Sequence, residues 1–317
     1  MDSGLPARPV PCGASLHTGA VHAVRFNSSG KYCVSGGADR QVLLLNPSKG
    51  LILKSYVGHG YPVLDVTISH DDRHIVSSGM DKLVFYWDVM SGVLVRRFGG
   101  TRDGGHTQRV NAVAAGSASM NPSDLMCQVI ASASYDKSVR LWDPRSNNVD
   151  PIQVLEDARD SVTSVSFRGT DILTTSVDER LRIYDIRMAR IFEDWLGIPL
   201  GFGAVSGDGN CILTTCLDSQ MRMVERSSGD ILSTYSGHVN ESFLVRCAFT
   251  FDDAFVVCGS EDGKVYCWDL ENATETPTKT LSTVKDEGSV ACGAIDTHPS
   301  LPQILSGSHS GHIMLWT

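Results

Sequence analysis

From Gly58 to Asp88 the chain reads GHGYPVLDVTISHDDRHIVSSGMDKLVFYWD. After the Gly58-His59 turn signal, apolar and polar positions alternate through Val63, Asp65, Val66 and Ile68, the period of a half-buried strand. The polar turn SHDDR leads into a second short strand, Ile75 to Ser77. Gly79-Met80-Asp81-Lys82 breaks the chain again, and Leu83 to Trp87 makes a third strand. A unit this small cannot bury its apolar face alone, so it calls for neighbours of the same kind.

Asp81 lies six positions before Trp87, and the same pairing of a turn acid with an apolar or aromatic strand end recurs along the chain. The pairs are Asp39/Leu45, Asp136/Trp142, Asp178/Tyr184, Asp218/Val224 and Asp262/Trp268, and a seventh unit keeps the frame with Ser310 and Trp316. The anchors fall 40 to 55 residues apart, the period expected of a four-stranded propeller blade. Gly58-His59 with Trp87-Asp88, and Gly237-His238 with Trp268-Asp269, resemble the repeats of WD-repeat β-propellers, over nearly the whole chain. The resemblance implies an all-β fold, a single seven-bladed propeller.

Residues 1–8 carry no pattern and are expected to form a flexible N-terminus ahead of one domain, residues 9–317. Residues 9–16, PVPCGASL, precede His17 as LILKSYVG precedes His59, the place of a preceding blade's outermost strand in the family's layout. The frame stops at the third strand of the seventh unit. The N-terminal segment is therefore expected to complete that blade and close the ring, and its two prolines fit only an outermost edge strand. The first unit ends in Leu45-Asn46. The fourth has Asp157-Ala158 where Gly-His would stand, the fifth has Leu196 and Val224-Glu225, and the sixth returns to full form with His238, Asp262 and Trp268. Insertions at 99–105 and 116–128 lengthen loops around the third unit, as contact sites or as neutral drift.

At 42% apolar and 20% charged residues the composition is that of a globular protein. A net charge of −9 without a Lys/Arg block disfavours phosphate-driven binding of nucleic acid. No apolar run reaches the length of a membrane span, and the first residues lack a signal-peptide core. Nine cysteines without a CxxC pair read as small buried hydrophobes of a reducing compartment, so the N-x-S/T sites at Asn27, Asn240 and Asn272 are expected to be unused.

Several units gather the residue types of a hydrolytic triad: His59, Ser77, Asp81 with Trp87, and His106, Ser132, Asp136 with Trp142. A hydrolase is the rival from another functional class. An active site is one constellation, however, whereas this one recurs with the blade period, and no GxSxG elbow is present. The family resemblance implies a structural role, with histidine bridging the turn aspartate and a strand hydroxyl that meets the indole N–H. GFGAVSG lacks dinucleotide-loop spacing, SEDGKV lacks P-loop spacing, and neither His70/His74 nor His309/His312 has partners at a zinc spacing. No enzyme, cofactor or metal is expected.

The residue before each turn anchor is Ala38, Met80, Tyr135, Val177, Leu217, Glu261 or His309. Met80, Tyr135, Val177 and Leu217 on consecutive units form a candidate protein-docking arc with Arg109, or else plug the central channel. WDPR (Trp142, Asp143, Arg145) and YDIR (Tyr184, Asp185, Arg187) resemble the adaptor box of cullin ubiquitin-ligase substrate receptors. The plainer alternative is an arginine paired with a nearby acid. AVHAVRFNSSGKYC, GHGYPVLDV, LEDARDSVTSV, RLRIYDIR and SEDGKVYCWDL together resemble the mitogen-activated protein kinase organiser branch of WD-repeat scaffolds. That resemblance implies a monomeric, non-catalytic scaffold of cytoplasm and nucleus. It would assemble kinase-cascade components, with a spliceosomal role or a ligase-receptor role as alternatives. The two insertions depart from that branch's shorter turns.

Overall fold

The computed structural model describes residues 5–12, 16–100, 104–116, 129–271, 275–282 and 291–317. Their regular elements are all β-strands, arranged as seven four-stranded sheets, the blades of a seven-bladed β-propeller. The blades span residues 21–57, 63–98, 110–155, 162–195, 200–236 and 247–281, and the last combines 294–316 with Pro9–Pro11. Most of insertion 116–128, and residues 101–103 of the other, lie outside the described residues. Chain contacts gather into two compact units, one of residues 1–35, 44–53 and 201–317, the other of 36–43 and 54–200.

The first six blades run from an inner strand to an outer one in chain order, and the seventh does so for its first three strands, which explains the composition of the second strand. Cys33–Gly37 (CVSGG) and Ile130–Ser134 (IASAS) are buried at every position, because such a strand has a neighbour on both edges and both faces. Small side chains there let sheets approach closely. A Cβ on Gly36 would stand 2.7 Å from Cγ1 of Val63.

The turn that the sequence frame was built on has one geometry in all seven blades. The residue after the anchor takes a left-handed conformation: Arg40, Lys82, Lys137, Glu179, Ser219, Gly263 and Gly311, with φ between 61° and 87°. Only the last two are glycine. In five blades the anchor carboxylate accepts the backbone N–H two residues on, from Gln41, Leu83, Ser138, Gln220 and Lys264. This Asx turn offsets the cost of a left-handed residue that carries a Cβ.

The expected period of two fails at one place in the inner strands. Register shifts between Val63 and Asp65, Val110 and Ala112, and Val162 and Ser164 insert one extra residue into three successive strands. In the second blade this buries Asp65 and Val66 in succession. The bulges also serve the blade-to-blade joints. Asp65 accepts the Val113 N–H (2.9 Å), Asn111 donates to the Val162 carbonyl (2.8 Å), and the Thr163 hydroxyl donates to that of Leu200 (3.0 Å).

The closing strand is where the terminal half-units predict it. Pro9–Pro11 pairs antiparallel with Ile313–Trp316, with Val10 opposite Leu315. Arg8 and Thr317 exchange backbone bonds and Cys12 donates to Ile313, so the hydrogen-bonded positions are 8, 10 and 12. Pro9 and Pro11 fall on the alternate positions, whose nitrogens face away from the ladder, and cost it nothing. One expectation is corrected: from Leu5 onward the lead-in is held in place. Leu5 is buried in the core formed with Val257, Ile304 and Trp316, its carbonyl accepts from Lys279 Nζ, and Ala7 N–H bonds Thr317. A single apolar residue next to chain ends gives no periodicity to read, so the sequence pattern missed it.

Candidate functional site

The recurring polar set assembles fully in the second and third blades. In the second, the Trp87 indole N–H donates to Ser77 Oγ (2.9 Å), and Ser77 meets His59 Nε2 (2.8 Å). His59 Nδ1 in turn meets Asp81 Oδ2 (2.7 Å). The third repeats this with Trp142, Ser132, His106 and Asp136 at 2.8, 2.7 and 3.0 Å. The donors run one way, from indole to serine oxygen, serine hydroxyl to Nε2 and Nδ1–H to carboxylate, so the network itself assigns the tautomer. Burial pushes the His106 imidazole down despite Asp136. For Asp136, burial alone would raise the carboxyl, yet His106, the Ser138 hydroxyl and the Thr107 N–H hold it well below the usual carboxylate range. Ser77 and Ser132 are fully buried, and their oxygens already receive the indole bond. The constellation that imitates a triad is a sealed brace between turn and strand.

Where histidine is absent, arginine takes its place from the opposite direction. The fourth and fifth blades carry Ala158 and Leu196 at the histidine position. Four residues after each anchor stand Arg182 and Arg222, which reach back to Asp178 and Asp218 at 2.7 Å. Arg182 is buried and also binds Ser176 Oγ (2.8 Å) and Glu193 (2.8 Å). The sequence signal was available: an arginine at anchor plus four, coinciding with the missing histidine.

The sixth blade, complete by residue type, is not complete by geometry. His238 is buried and neither ring nitrogen has a hydrogen-bond partner. Asp262 instead accepts from Tyr266 Oη (2.7 Å), and the Trp268 N–H donates to the Ser236 carbonyl (3.2 Å). The cause is the residue ten before the indole. That position is Ser35, Ser77, Ser132, Thr174, Thr214 and Ser306 elsewhere, but Cys258 here, and a thiol is a poor partner on both sides. Cys258→Ser is therefore expected to stabilise the fold by about 1 kcal/mol in urea unfolding. No gain would mean that residue 258 does not reach Nε2. Burial also pushes His238 down from 6.5 to about 4. The unfolded chain then binds the proton more tightly, so wild-type stability is expected to fall as pH drops from about 6.5 towards 4.

The docking candidates occupy turns. Met80 and Tyr135 are 39% and 48% exposed, and Val177 is half-buried, all in one unit; Leu217, in the other, is half-buried. The Arg109 guanidinium lies 4.9 Å from the Tyr135 ring centroid, and Tyr135 N–H bonds the Arg109 carbonyl. Glu261, at the same turn position, orders a neighbouring loop instead, its Oε1 accepting three consecutive backbone N–H groups, from Glu241, Ser242 and Phe243. In the adaptor-box segments Trp142 and Tyr184 are buried, and Asp185 accepts the Met188 N–H (2.9 Å). Arg145 folds back on Asp143 (3.1 and 3.3 Å), while Arg187 is exposed. Asn27 and Asn240 are buried, and Asn272 lies outside the described residues. Among the described residues no group of three or more His, Cys, Asp or Glu is placed to hold a metal ion. The eight cysteines described are unbridged, and seven of them are buried.

Residues 12–46, 50–88, 96–143 and 229–269 match the family model described as WD domain, G-beta repeat. The chain is 40% identical over 298 residues to WD repeat domain-containing protein 83 of Rattus norvegicus, covering 94% of this chain and 88% of that protein. The Homo sapiens protein of that name gives the same figures. WD repeat domain-containing protein 83 homolog of Dictyostelium discoideum is 28% identical over 332 residues, covering 95% of this chain and 96% of its own.

Proposed function

Since this chain belongs to the WD-repeat family of β-propeller proteins, we propose that it is a non-catalytic protein-interaction scaffold that assembles mitogen-activated protein kinase cascade components in cytoplasm and nucleus. The observation that carries the interaction reading is the Arg109–Tyr135 stack. An exposed tyrosine braced by a guanidinium at 4.9 Å has lost side-chain freedom before any partner arrives, so less entropy is spent on binding. Met80 and Val177 stand at the matching turn positions of the blades on either side. Tyrosine and arginine are the side chains that most often anchor interfaces. The kinase-cascade reading rests on the stretches that resemble the organiser branch, among them GHGYPVLDV and SEDGKVYCWDL.

Tyr135→Ala is expected to weaken the principal partner by about 2 kcal/mol, some thirtyfold, with the melting temperature unchanged. Affinity purification with quantitative mass spectrometry, wild type against Tyr135→Ala, tests both levels. Kinase-cascade components that are depleted in the variant support the proposal. A catch made of splicing factors or of a ligase adaptor overturns the cascade reading. Full recovery of every partner by Tyr135→Ala moves the docking surface elsewhere.

A further inference from the structure

Seven blades leave seven outermost strands, and the free edge of a strand is a template for another strand. Six of these edges carry a guard. Pro9 and Pro11 turn nitrogens without a proton to the outward side of the seventh blade. The third and sixth blades end in strands of only 3 residues, Gln153–Leu155 and Lys279–Leu281. Register shifts interrupt the pairing of Leu94–Phe98 and of Ile231–Ser236, and Leu51–Val57 carries Lys54. The fourth blade's outer strand, Arg190–Trp195, has none of these devices. It pairs without interruption with Arg180–Asp185, contains no proline, glycine or lysine, and has no described strand on its other side. Ile191, Phe192 and Trp195 are all exposed.

The backbone says which groups the edge offers. Leu196 donates its N–H to the carbonyl of Glu179, directly opposite it in register, and this fixes the alternation along the strand. Residues 190, 192 and 194 bond inward, so the N–H and C=O groups of Ile191, Glu193 and Trp195 point outward. An antiparallel second copy of the strand must set outward positions against outward positions. The two registers of greatest overlap are centred on Phe192 and on Glu193. The second sets two Glu193 carboxylates face to face. The first is complementary: each Arg190 stands opposite Asp194 of the other copy, and the two Phe192 rings meet at the axis. Ile191 of each copy then exchanges backbone bonds with Glu193 of the other. The charges are free for this use. Arg190 is exposed, and Asp185, opposite it in its own sheet, accepts the Met188 N–H. Asp194 stands opposite Leu181, and burial alone raises its carboxyl. Glu193, on the other face, is held by Arg180 and Arg182 at 2.7 and 2.8 Å. We propose that this edge is a homodimer interface, in which Arg190–Trp195 of two copies pair antiparallel about Phe192 into one continuous sheet. The inference stands apart from the scaffold reading. It replaces the monomer implied by the family resemblance with a bivalent molecule that presents the Tyr135 turn twice.

The test is sedimentation velocity on the full chain at loading concentrations from about 1 to 100 µM, with thermal unfolding as the fold control. Wild type is expected to pass reversibly from monomer to dimer across that range. Ile191→Pro removes an outward N–H and leaves the bonds to Arg180–Asp185 in place, as Pro9 and Pro11 do for the seventh blade. It is expected to weaken the dimer about tenfold or more, with the melting temperature of the monomer unchanged. Arg190→Glu and Asp194→Lys each set like charges opposite one another on both sides of the axis, and each is expected to weaken the dimer similarly. The double variant Arg190→Glu/Asp194→Lys restores the pairs with their signs exchanged, and is expected to recover the affinity to within about threefold of wild type. General loss of stability would not produce that rescue. A wild type that stays monomeric to about 100 µM overturns the proposal. So does a dimer that Ile191→Pro leaves intact, or a double variant no better than the single ones. A monomeric chain whose Ile191→Pro variant loses a captured protein assigns the edge to a foreign strand, and overturns the proposal equally.

Discussion

Deletion of residues 1–16 is expected to lower the melting temperature by on the order of 10 °C in scanning calorimetry. The segment supplies one buried leucine, Leu5, worth about 1.5–3 kcal/mol, and the buried Cys12. It also supplies the backbone bonds from Ala7, Arg8, Cys12 and Leu16 to Thr317, Ile313 and Gly311, each worth about 0.5–1.5 kcal/mol net. Together these come to roughly 4–9 kcal/mol. The deletion also uncovers the ladder edge of Ile313–Trp316, a site for strand pairing between molecules, so aggregation on heating is the second expected readout. An unchanged melting curve would show that the seventh blade holds its three remaining strands unaided.

Asp178→Ala is expected to cost about 3 kcal/mol in chemical denaturation, the low end of the range for breaking a buried pair, because Arg182 keeps Glu193. The loss comes from the arginine left behind. The double variant Asp178→Ala/Arg182→Met should therefore recover part of the stability, although it removes more polar contacts. A double variant less stable than the single one would contradict this account. Acid unfolding gives an independent check. Burial alone would raise the Asp178 carboxyl, but Arg182, the Ser176 hydroxyl and the Arg159 N–H outweigh it and hold the group below its ordinary 3.8. A depressed carboxylate contributes stability that is present above its unfolded value and lost as pH falls through the folded one. The wild-type slope below about 3.8 should thus be steeper than that of Asp178→Ala.

The blade frame was legible because one carboxylate does two jobs, ordering the turn and meeting the brace, which ties aspartate to a fixed place in the repeat. The brace itself was legible only where its partner was histidine. Arg182 and Arg222 approach the aspartate from within their own strands and fall outside a pattern anchored on Gly-His. His238 was over-read for the converse reason. A histidine, an aspartate and a tryptophan at the right spacing imply a bonded set only if the residue between them carries a hydroxyl, and Cys258 does not. The inner-strand bulge of the second blade left no trace in the apolar pattern, because Leu64 is itself apolar at the inserted position. As for the docking candidates, the proximity of Arg109 to Tyr135 was legible as neighbouring loops, while the stack between them is a matter of rotamers.

The left-handed turn residue has a consequence for how such a surface diversifies. A position of this kind ordinarily demands glycine and so contributes nothing to recognition. Here the preceding aspartate secures the conformation, and the position is released to carry arginine, lysine or serine, as at Arg40, Lys82, Lys137 and Ser219, while Glu179 takes the same conformation in the fourth blade. All of these but Arg40 lie two residues from a docking-position side chain, Met80, Tyr135, Val177 or Leu217. Blades two to five thus each offer an apolar letter and a polar letter, although Lys137, Glu179 and Ser219 also bond neighbouring segments through their side chains. The glycines of the last two blades, Gly263 and Gly311, mark where that alphabet has gone unused.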